Sequence, residues 1–282
     1  MDHSALKEKL QQELENLVSK NSDIFNPVLG VANTTGDFYW TGAAGEAYAG
    51  KSLPMAADTP FFIASITKMY TAAATMILEE RGQLSLDDPL SKHLPGEMVS
   101  GLHIYRNQDF SDQLTIYHLI SQTSGLPDYF MDKPRGRKSI FDRLITEGDF
   151  SWDIDLVVDI TKNSLTPKFP PESKSQIESG KQANYSDTNY QLLGAVLETV
   201  MNEPLHEIYA QLITKPFELP GTYLHGYGDS QSKTKKTPAN IYYRTIPFNL
   251  DKAMMSFGPD GGIVSTLDDC LRFLQLYMDG TL

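Results

Sequence analysis

The stretch from Phe61 to Gly82 constrains the fold of this chain more than any other. Phe61-Phe62-Ile63-Ala64 runs into a pattern of helical spacing from about Ser65 to Arg81, and Gly82 supplies a natural C-terminal stop. Ile66, Met69, Ala73, Met76 and Ile77 share one face, and the alanine-rich middle predicts burial on several sides. A helix of this kind belongs inside a domain, so other elements must surround it. With 282 residues, 40% of them hydrophobic, the chain is long enough to do so.

Residues 4–19 read as an amphipathic helix, with Leu6, Leu10, Leu14, Leu17 and Val18 on one face. Pro27 to Ala32 and Asp37 to Thr41 flank Asn33-Thr34-Thr35-Gly36, which predicts a β-hairpin. Further helices are expected at Leu114 to Gln122, near 139–147 and 153–163, at Thr188 to Met201, at Leu205 to Ile213 and at Leu267 to Met278. Pro167 to Lys181 and Gly226 to Pro238 read as loops. Cys270, the single cysteine, lies in an apolar helical pattern and reads as a small core residue, and no intrachain disulfide is possible.

Ser65-Ile66-Thr67-Lys68 is a Ser-x-x-Lys element. The same spacing occurs at Ser4/Lys7, Ser230/Lys233 and Ser232/Lys235, in a surface helix and a polar loop where it has no special context. Ser65 differs because it falls where an apolar segment becomes a buried helix. Free backbone N–H groups and the positive end of the helix dipole collect there, a setting that stabilises an oxyanion. Residues three apart share a helix face, so the Lys68 amine can reach the Ser65 hydroxyl. A desolvated lysine has its pKa lowered and can accept a proton. A capping serine beside a surface lysine has the same spacing, and the two residues alone leave both readings open. Tyr185-Ser186-Asp187 precedes a helix, with Asp187 placed as its N-cap. A phenol there can serve as general acid or base, and a buried packing tyrosine fits the pattern equally.

Five segments decide between these readings. FFIASITKMYTAAATMILEERGQLSLDDPLSKHLP resembles the region around the active-site serine of the class C β-lactamase-related hydrolases, within the serine β-lactamase and penicillin-binding-protein superfamily. LTIYHLISQTSGLPDY resembles the helix and loop that follow, with Gln122 where a histidine is more usual. NYSDTNYQLLGAVLE resembles the Tyr-x-Asn element, and PFELPGTYL and DGGIVSTLDDCLRFLQLYMDG the segments after it. The five occur in family order over residues 28–280. The resemblance implies an α+β fold, with an antiparallel sheet flanked by helices and a mostly helical lobe. It implies Ser65 as acylated nucleophile, Lys68 and Tyr185 sharing base and acid work, Asp187 as a substrate-binding residue, and the Ser65 N–H as half of an oxyanion hole.

Two departures stand out. The second element ends in Asp187 where the family usually has asparagine, and a carboxylate only accepts hydrogen bonds. Paired with Lys68 it would raise the lysine pKa and shift the base role to Tyr185. The family's third element, Lys-Thr-Gly or a variant, has no match after residue 187. Trp40-Thr41-Gly42 lies in the expected hairpin, and His225-Gly226-Tyr227-Gly228 has other spacing. The expectation is therefore one β-lactamase-related domain over 1–282 that lacks the C-terminal strands. Residues 1–60 would give the first helix and strands, and residues 61–282 the mostly helical lobe.

The formal net charge of −12 disfavours nucleic acid and anionic membranes as partners. The N-terminus has no apolar signal region and no segment approaches the length of a membrane span, so a cytoplasmic protein is the expectation. His3, His93, His103, His118, His206 and His225 show no metal-ligand spacing, and no glycine-rich phosphate loop occurs, so neither metal nor cofactor is expected. The leading functional expectation is a serine hydrolase acting on small esters, amides or D-amino-acid peptides. The alternative is a ligand- or partner-binding protein of the same fold, or an inactive fragment. Oligomeric state leaves no trace in the sequence.

Overall fold

A computed structural model describes residues 3–33, 35–172, 182–227 and 236–282. In chain order the elements are α1 (Ser4–Lys20), β1 (Val28–Ala32), β2 (Tyr39–Ala43), β3 (Phe61–Phe62), α2 (Thr67–Glu80), α3 (Gly96–Val99), β4 (Ile104–Tyr105) and β5 (Gln108–Asp109). They continue with α4 (Ile116–Ile120), α5 (Ile140–Glu147), α6 (Ile154–Asn163), α7 (Asp187–Met201), α8 (Leu205–Tyr209), β6 (Tyr223–Leu224), β7 (Ile241–Tyr243), β8 (Ile246–Phe248), α9 (Asp251–Phe257), β9 (Ile263–Ser265) and α10 (Leu267–Met278). Parts of the two expected loops, Thr34 of the hairpin turn, and the Ser230/Lys233 and Ser232/Lys235 pairs lie outside the described residues. The fold is α+β, and the chain divides into two compact units.

The first unit comprises residues up to 63 with 213–250 and 263–282. β1 pairs antiparallel with β2, Val28 opposite Ala43 and Ala32 opposite Tyr39. α1 packs on β2 and α10 on β1. The second strand begins two residues later than the hydropathy pattern predicts. Asn33 and Thr35 both donate to the Asp37 carboxylate, and the Phe38 N–H donates to Asn33 Oδ1 at 3.1 Å, so the turn extends through residue 38. β9 is the middle of a three-stranded antiparallel sheet, with Ser265 opposite Phe61 and Val264 opposite Tyr223. Strands of two or three residues cannot show a period-2 pattern, and the sequence reading placed no strands at β3, β6 and β9. Cys270 is half-buried in α10, and burial pushes its thiol pKa up, which disfavours the thiolate.

The second unit comprises residues 64–212 and 251–262. α7 lies at its centre and packs against α2, α4, α6 and α8. Gln191, Leu192, Leu193, Val196 and Leu197 of α7 are buried. The expected face of α2 needs correcting. Ile66 and Met76 are 49% and 45% exposed, whereas Thr67, Tyr70, Thr71, Ala74, Thr75 and Leu78 are buried. Hydrogen bonding makes this possible. The Thr71 hydroxyl donates to the Pro259 carbonyl at 2.6 Å and lies 2.7 Å from the Tyr209 hydroxyl, and Thr75 Oγ1 donates to the Thr71 carbonyl at 2.8 Å. Ser139, Asp153 and Thr115 cap α5, α6 and α4 through side-chain acceptors. Among the described residues no helix is long and apolar enough to cross a membrane.

Close approach of α7 to the turn before β9 requires glycine at 194. A Cβ there would meet the Pro259 ring, with Cγ at 2.5 Å and Cβ at 2.7 Å. Gly194→Ala gains helix propensity of up to about 1 kcal/mol but forces this rigid contact apart, which costs about 1–3 kcal/mol. The expected outcome is a net loss of stability, read as a lower urea midpoint at unchanged slope.

Candidate active site

The site begins at the entrance to α2. Ala64 has φ +46°, a left-handed conformation that costs a non-glycine residue about 1–2 kcal/mol. It opens the 3-10 turn Ala64–Ile66 that leads into α2 and leaves Ser65 exposed at the helix N-terminus. Lys68 follows one turn later and is buried. Its Nζ lies 3.4 Å from Ser65 Oγ, as the i, i+3 spacing predicts, and donates to the Asp260 carbonyl at 2.7 Å.

Tyr185 and Asp187 reach this point from the start of α7. Gln122, at φ +60°, organises the approach. Its carbonyl accepts from Asn184 N at 3.0 Å, and its Oε1 accepts from Ser186 N at 3.0 Å and from Asn189 Nδ2 at 2.5 Å. Ser186 Oγ donates to the Pro127 carbonyl at 2.9 Å. With its neighbours fixed on both sides, Tyr185 is 55% exposed and its hydroxyl donates to Ser65 Oγ at 2.8 Å.

Asp187 does not cap α7, as its position before the helical pattern suggested. Ser186 holds the N-cap position without a side-chain cap bond, and Asp187 is the first helical residue. Its carboxylate turns instead to Lys68, Oδ1 to Nζ 2.7 Å, with both side chains close to fully buried. The electrostatics of Lys68 therefore differ from those of a lysine in an apolar pocket. Burial presses its pKa down, but the Asp187 carboxylate, by its charge and its hydrogen bond, leaves the pKa raised. The ammonium also lies 5.0 Å from the ring centre of Tyr185 and 5.7 Å from that of Tyr190.

Sequence reasoning missed Asp260. It is 1% exposed, and its Oδ2 accepts from the Tyr129 hydroxyl and from Gln191 Nε2, each at 3.0 Å. Trp152 Nε1 donates to the Tyr129 hydroxyl at 3.2 Å. Burial, then the charge of Asp187, hold the Asp260 carboxyl pKa well above the usual range. The available signal was an acid directly ahead of Gly261-Gly262, which reads as ordinary turn chemistry. Asp128 was missed too. It is 6% exposed, its Oδ1 accepts from Phe130 N at 2.8 Å and Met131 N at 3.2 Å, and burial and the charge of Asp187 push its pKa up to about 6.

The structure thus brings Ser65, Lys68, Tyr185 and Asp187 together. Elsewhere, Trp40-Thr41-Gly42 lies within β2, and the His225 ring meets Phe62 edge-on at 4.9 Å. No group of three or more His, Cys, Asp or Glu among the described residues could hold a metal ion.

The Beta-lactamase family model matches residues 28–282, and the chain belongs to that family. Esterase EstB of Burkholderia gladioli is 33% identical over 184 residues, which cover 64% of this chain and 42% of that protein. Penicillin-binding protein 4* of Bacillus subtilis (strain 168) is 26% identical, over 96% of this chain and 56% of its own length. Among solved structures, a D-stereospecific amidohydrolase from Streptomyces sp. superposes with a TM-score of 0.72 at 26% identity, covering all of this chain and 74% of that one. The chain spans about half the length of the curated relatives it matches.

Asp128 binds its proton more tightly in the folded chain than at the ordinary value of 3.8. Its contribution to stability is full below about pH 4 and falls as pH rises through about 6, by at most about 3 kcal/mol. Asp128→Asn keeps an Oδ1 acceptor for Phe130 and Met131 and removes the titration. Compared by urea unfolding, the variant should gain stability relative to the native chain as pH rises from about 4 to about 7.

Proposed function

We propose that this chain is an acyl-transferring serine hydrolase, with Ser65 as the nucleophile that forms an acyl-enzyme on small esters, amides or D-amino-acid peptides. The observation that carries the reading is the position of Ser65 Oγ, 2.8 Å from the Tyr185 hydroxyl and 3.4 Å from Lys68 Nζ. Nucleophile and acid–base group are within hydrogen-bond reach, which is the first requirement of such chemistry. Esters and D-stereospecific amides enter the proposal through the names of the relatives.

Lys68 is paired with the Asp187 carboxylate and its pKa is raised, so the base role falls to Tyr185. In acylation Ser65 Oγ attacks the substrate carbonyl, and its proton passes to the Tyr185 oxygen as Tyr185 gives its own phenolic proton to the leaving group. The carbon–heteroatom bond breaks, and Tyr185 ends as the neutral phenol it began as. In deacylation water attacks the acyl carbonyl, its proton passes to the Tyr185 oxygen and the Tyr185 proton returns to Ser65 Oγ as the acid leaves. The Lys68 charge favours the negative charge that builds on the tetrahedral oxygen. The Ser65 amide at the start of α2 contributes one oxyanion donor.

A second reading is a binding protein of the same fold. The observation that favours it is the Asp187–Lys68 pair, which removes the lysine from service as a base. Intact-protein mass after incubation with a fluorophosphonate separates the two. A single adduct is expected on the native chain and none on Ser65→Ala. Tyr185→Phe should acylate about 10²–10⁴-fold more slowly. A folded native chain that takes no adduct would leave the binding reading.

A further inference from the structure

Two buried histidines take no part in the chemistry proposed for Ser65. His118, in α4, is 9% exposed, and His103, directly ahead of β4, is fully buried. Both rings reach the same stretch of chain. His118 Nε2 donates to the Glu172 carbonyl at 2.6 Å, and His103 Nε2 donates to the Phe169 carbonyl at 2.9 Å. Residues 168–172 are thereby laid along the loop Gln122–Pro127. Lys168 N donates to the Gly125 carbonyl at 2.8 Å, and Glu172 N to the Thr123 carbonyl at 3.5 Å. The fit is close, since a Cβ at Gly125 would stand 2.0 Å from the Phe169 oxygen.

The other carbonyls of that loop fix Tyr185. Gln122 O accepts from Asn184 N at 3.0 Å, Leu126 O from Asn184 Nδ2 at 3.0 Å, and Pro127 O from Ser186 Oγ at 2.9 Å. The loop thus divides its acceptors between residues 168–172 and the neighbours of Tyr185. With residues 168–172 withdrawn, the Thr123 and Gly125 carbonyls lose these partners and the loop loses its fixed course.

His118 serves this contact as a neutral ring. Its Nδ1 accepts from the Thr115 N–H at 3.0 Å, one bond of the α4 capping box, so the ring carries its proton on Nε2. A second proton on Nδ1 could turn to Thr115 Oγ1, 2.8 Å away, but it would displace the Thr115 N–H. Burial holds the His118 pKa below its ordinary 6.5. Burial also lowers the His103 pKa, and the carbonyls around that ring and the Asp109 charge offset it only in part. Glu172 is buried, and Lys168 pairs with Asp132 at 2.8 Å in a partly exposed contact worth little. Asp128, at the end of the loop, takes up its proton near pH 6 and gains stability as pH falls, so it opposes any opening in acid. A ring that leaves the interior binds its proton more tightly than the buried one. The contact is therefore at full strength above about pH 6.5 and weakens as pH falls below it.

Resting on the serine-hydrolase reading of Ser65, we propose that His118 is a positioning residue for Tyr185. As a neutral ring it clasps residues 168–172 onto the loop that places the Tyr185 hydroxyl, and acid opens the clasp and slows the reaction.

Amide hydrogen exchange reads the clasp without relying on turnover. Protection factors remove the intrinsic pH dependence of exchange. From about pH 8 to about pH 5.5 the protection of residues 168–172 and 184–186 should fall severalfold, up to about tenfold, while that of residues 192–197 in α7 stays unchanged. His118→Gln offers Glu172 an amide donor that does not titrate, and it should keep its protection at both pH values. His118→Ala should lose protection at both. Fluorophosphonate labelling of the native chain should slow relative to His118→Gln by a similar factor over the same range. Equal protection at both pH values, a loss shared by residues 192–197, or parallel labelling of the native chain and His118→Gln overturns the clasp and leaves the hydrolase reading standing. If a folded chain takes no label, the hydrolase reading falls and exchange alone decides the clasp. Should His118→Gln fail to fold, the native comparison with residues 192–197 decides it.

Discussion

The buried pair between Lys68 and Asp187 is the interaction on which the second unit is arranged. It joins the first turn of α2 to the first residue of α7, the two helices that carry the site. Removing two charges from water costs several kcal/mol each, and their mutual attraction offsets this only with good geometry and further hydrogen bonds. The further bond is present, since the Asp260 carbonyl accepts from the same ammonium at 2.7 Å. Residues 251–262 belong to this unit, and the turn after α9 brings that carbonyl to the ammonium. On the polar buried side of α2, Thr71 bonds the neighbouring Pro259 carbonyl and keeps the turn in place.

Around this pair the site is held by groups that do not touch Ser65. The Asp260 carboxyl is fixed by Tyr129 and Gln191, and Tyr129 in turn by Trp152. Gln191 Nε2 also lies 2.8 Å from the Phe257 carbonyl and 3.0 Å from that of Ser256, which ties α7 to the end of α9. Left-handed backbone at two non-glycine residues positions the two hydroxyls, Ala64 presenting Ser65 and Gln122 fixing the approach of Tyr185. Such conformations persist only where surrounding bonds over-determine them, and the network meets that condition.

How far this arrangement was legible in the sequence follows from the range of the interactions involved. Ser65 and Lys68 are one helical turn apart, so their proximity follows from spacing alone. Tyr185 becomes legible through the ordered family segments, because nothing local distinguishes it from a packing tyrosine. Asp260 is 192 residues from Lys68, and a turn-forming acid gives no sign that its carbonyl meets a distant ammonium. Asp187 was misplaced as a helix cap because an acid before a helical pattern most often caps, whereas here a nearby ammonium competes for the carboxylate and wins. The face of α2 was misjudged because a hydropathy pattern scores threonine as polar and cannot know that each hydroxyl finds an acceptor. Strands β3, β6 and β9 were invisible because two or three residues hold no period.

The aspartate at 187 changes what the lysine can do. An asparagine beside Lys68 would leave the ammonium to desolvation, which lowers a lysine pKa and prepares it to take a proton. The carboxylate reverses that balance and fixes the positive charge. The site then holds an ion-paired ammonium, a hydroxyl pair at 2.8 Å and an acid in place of an amide. In the proposed reaction proton transfer runs through Tyr185, whose hydroxyl is in hydrogen-bond contact with Ser65. The fold is that of the family, and the Lys68–Asp187 ion pair sets the charge beside Ser65 in this chain.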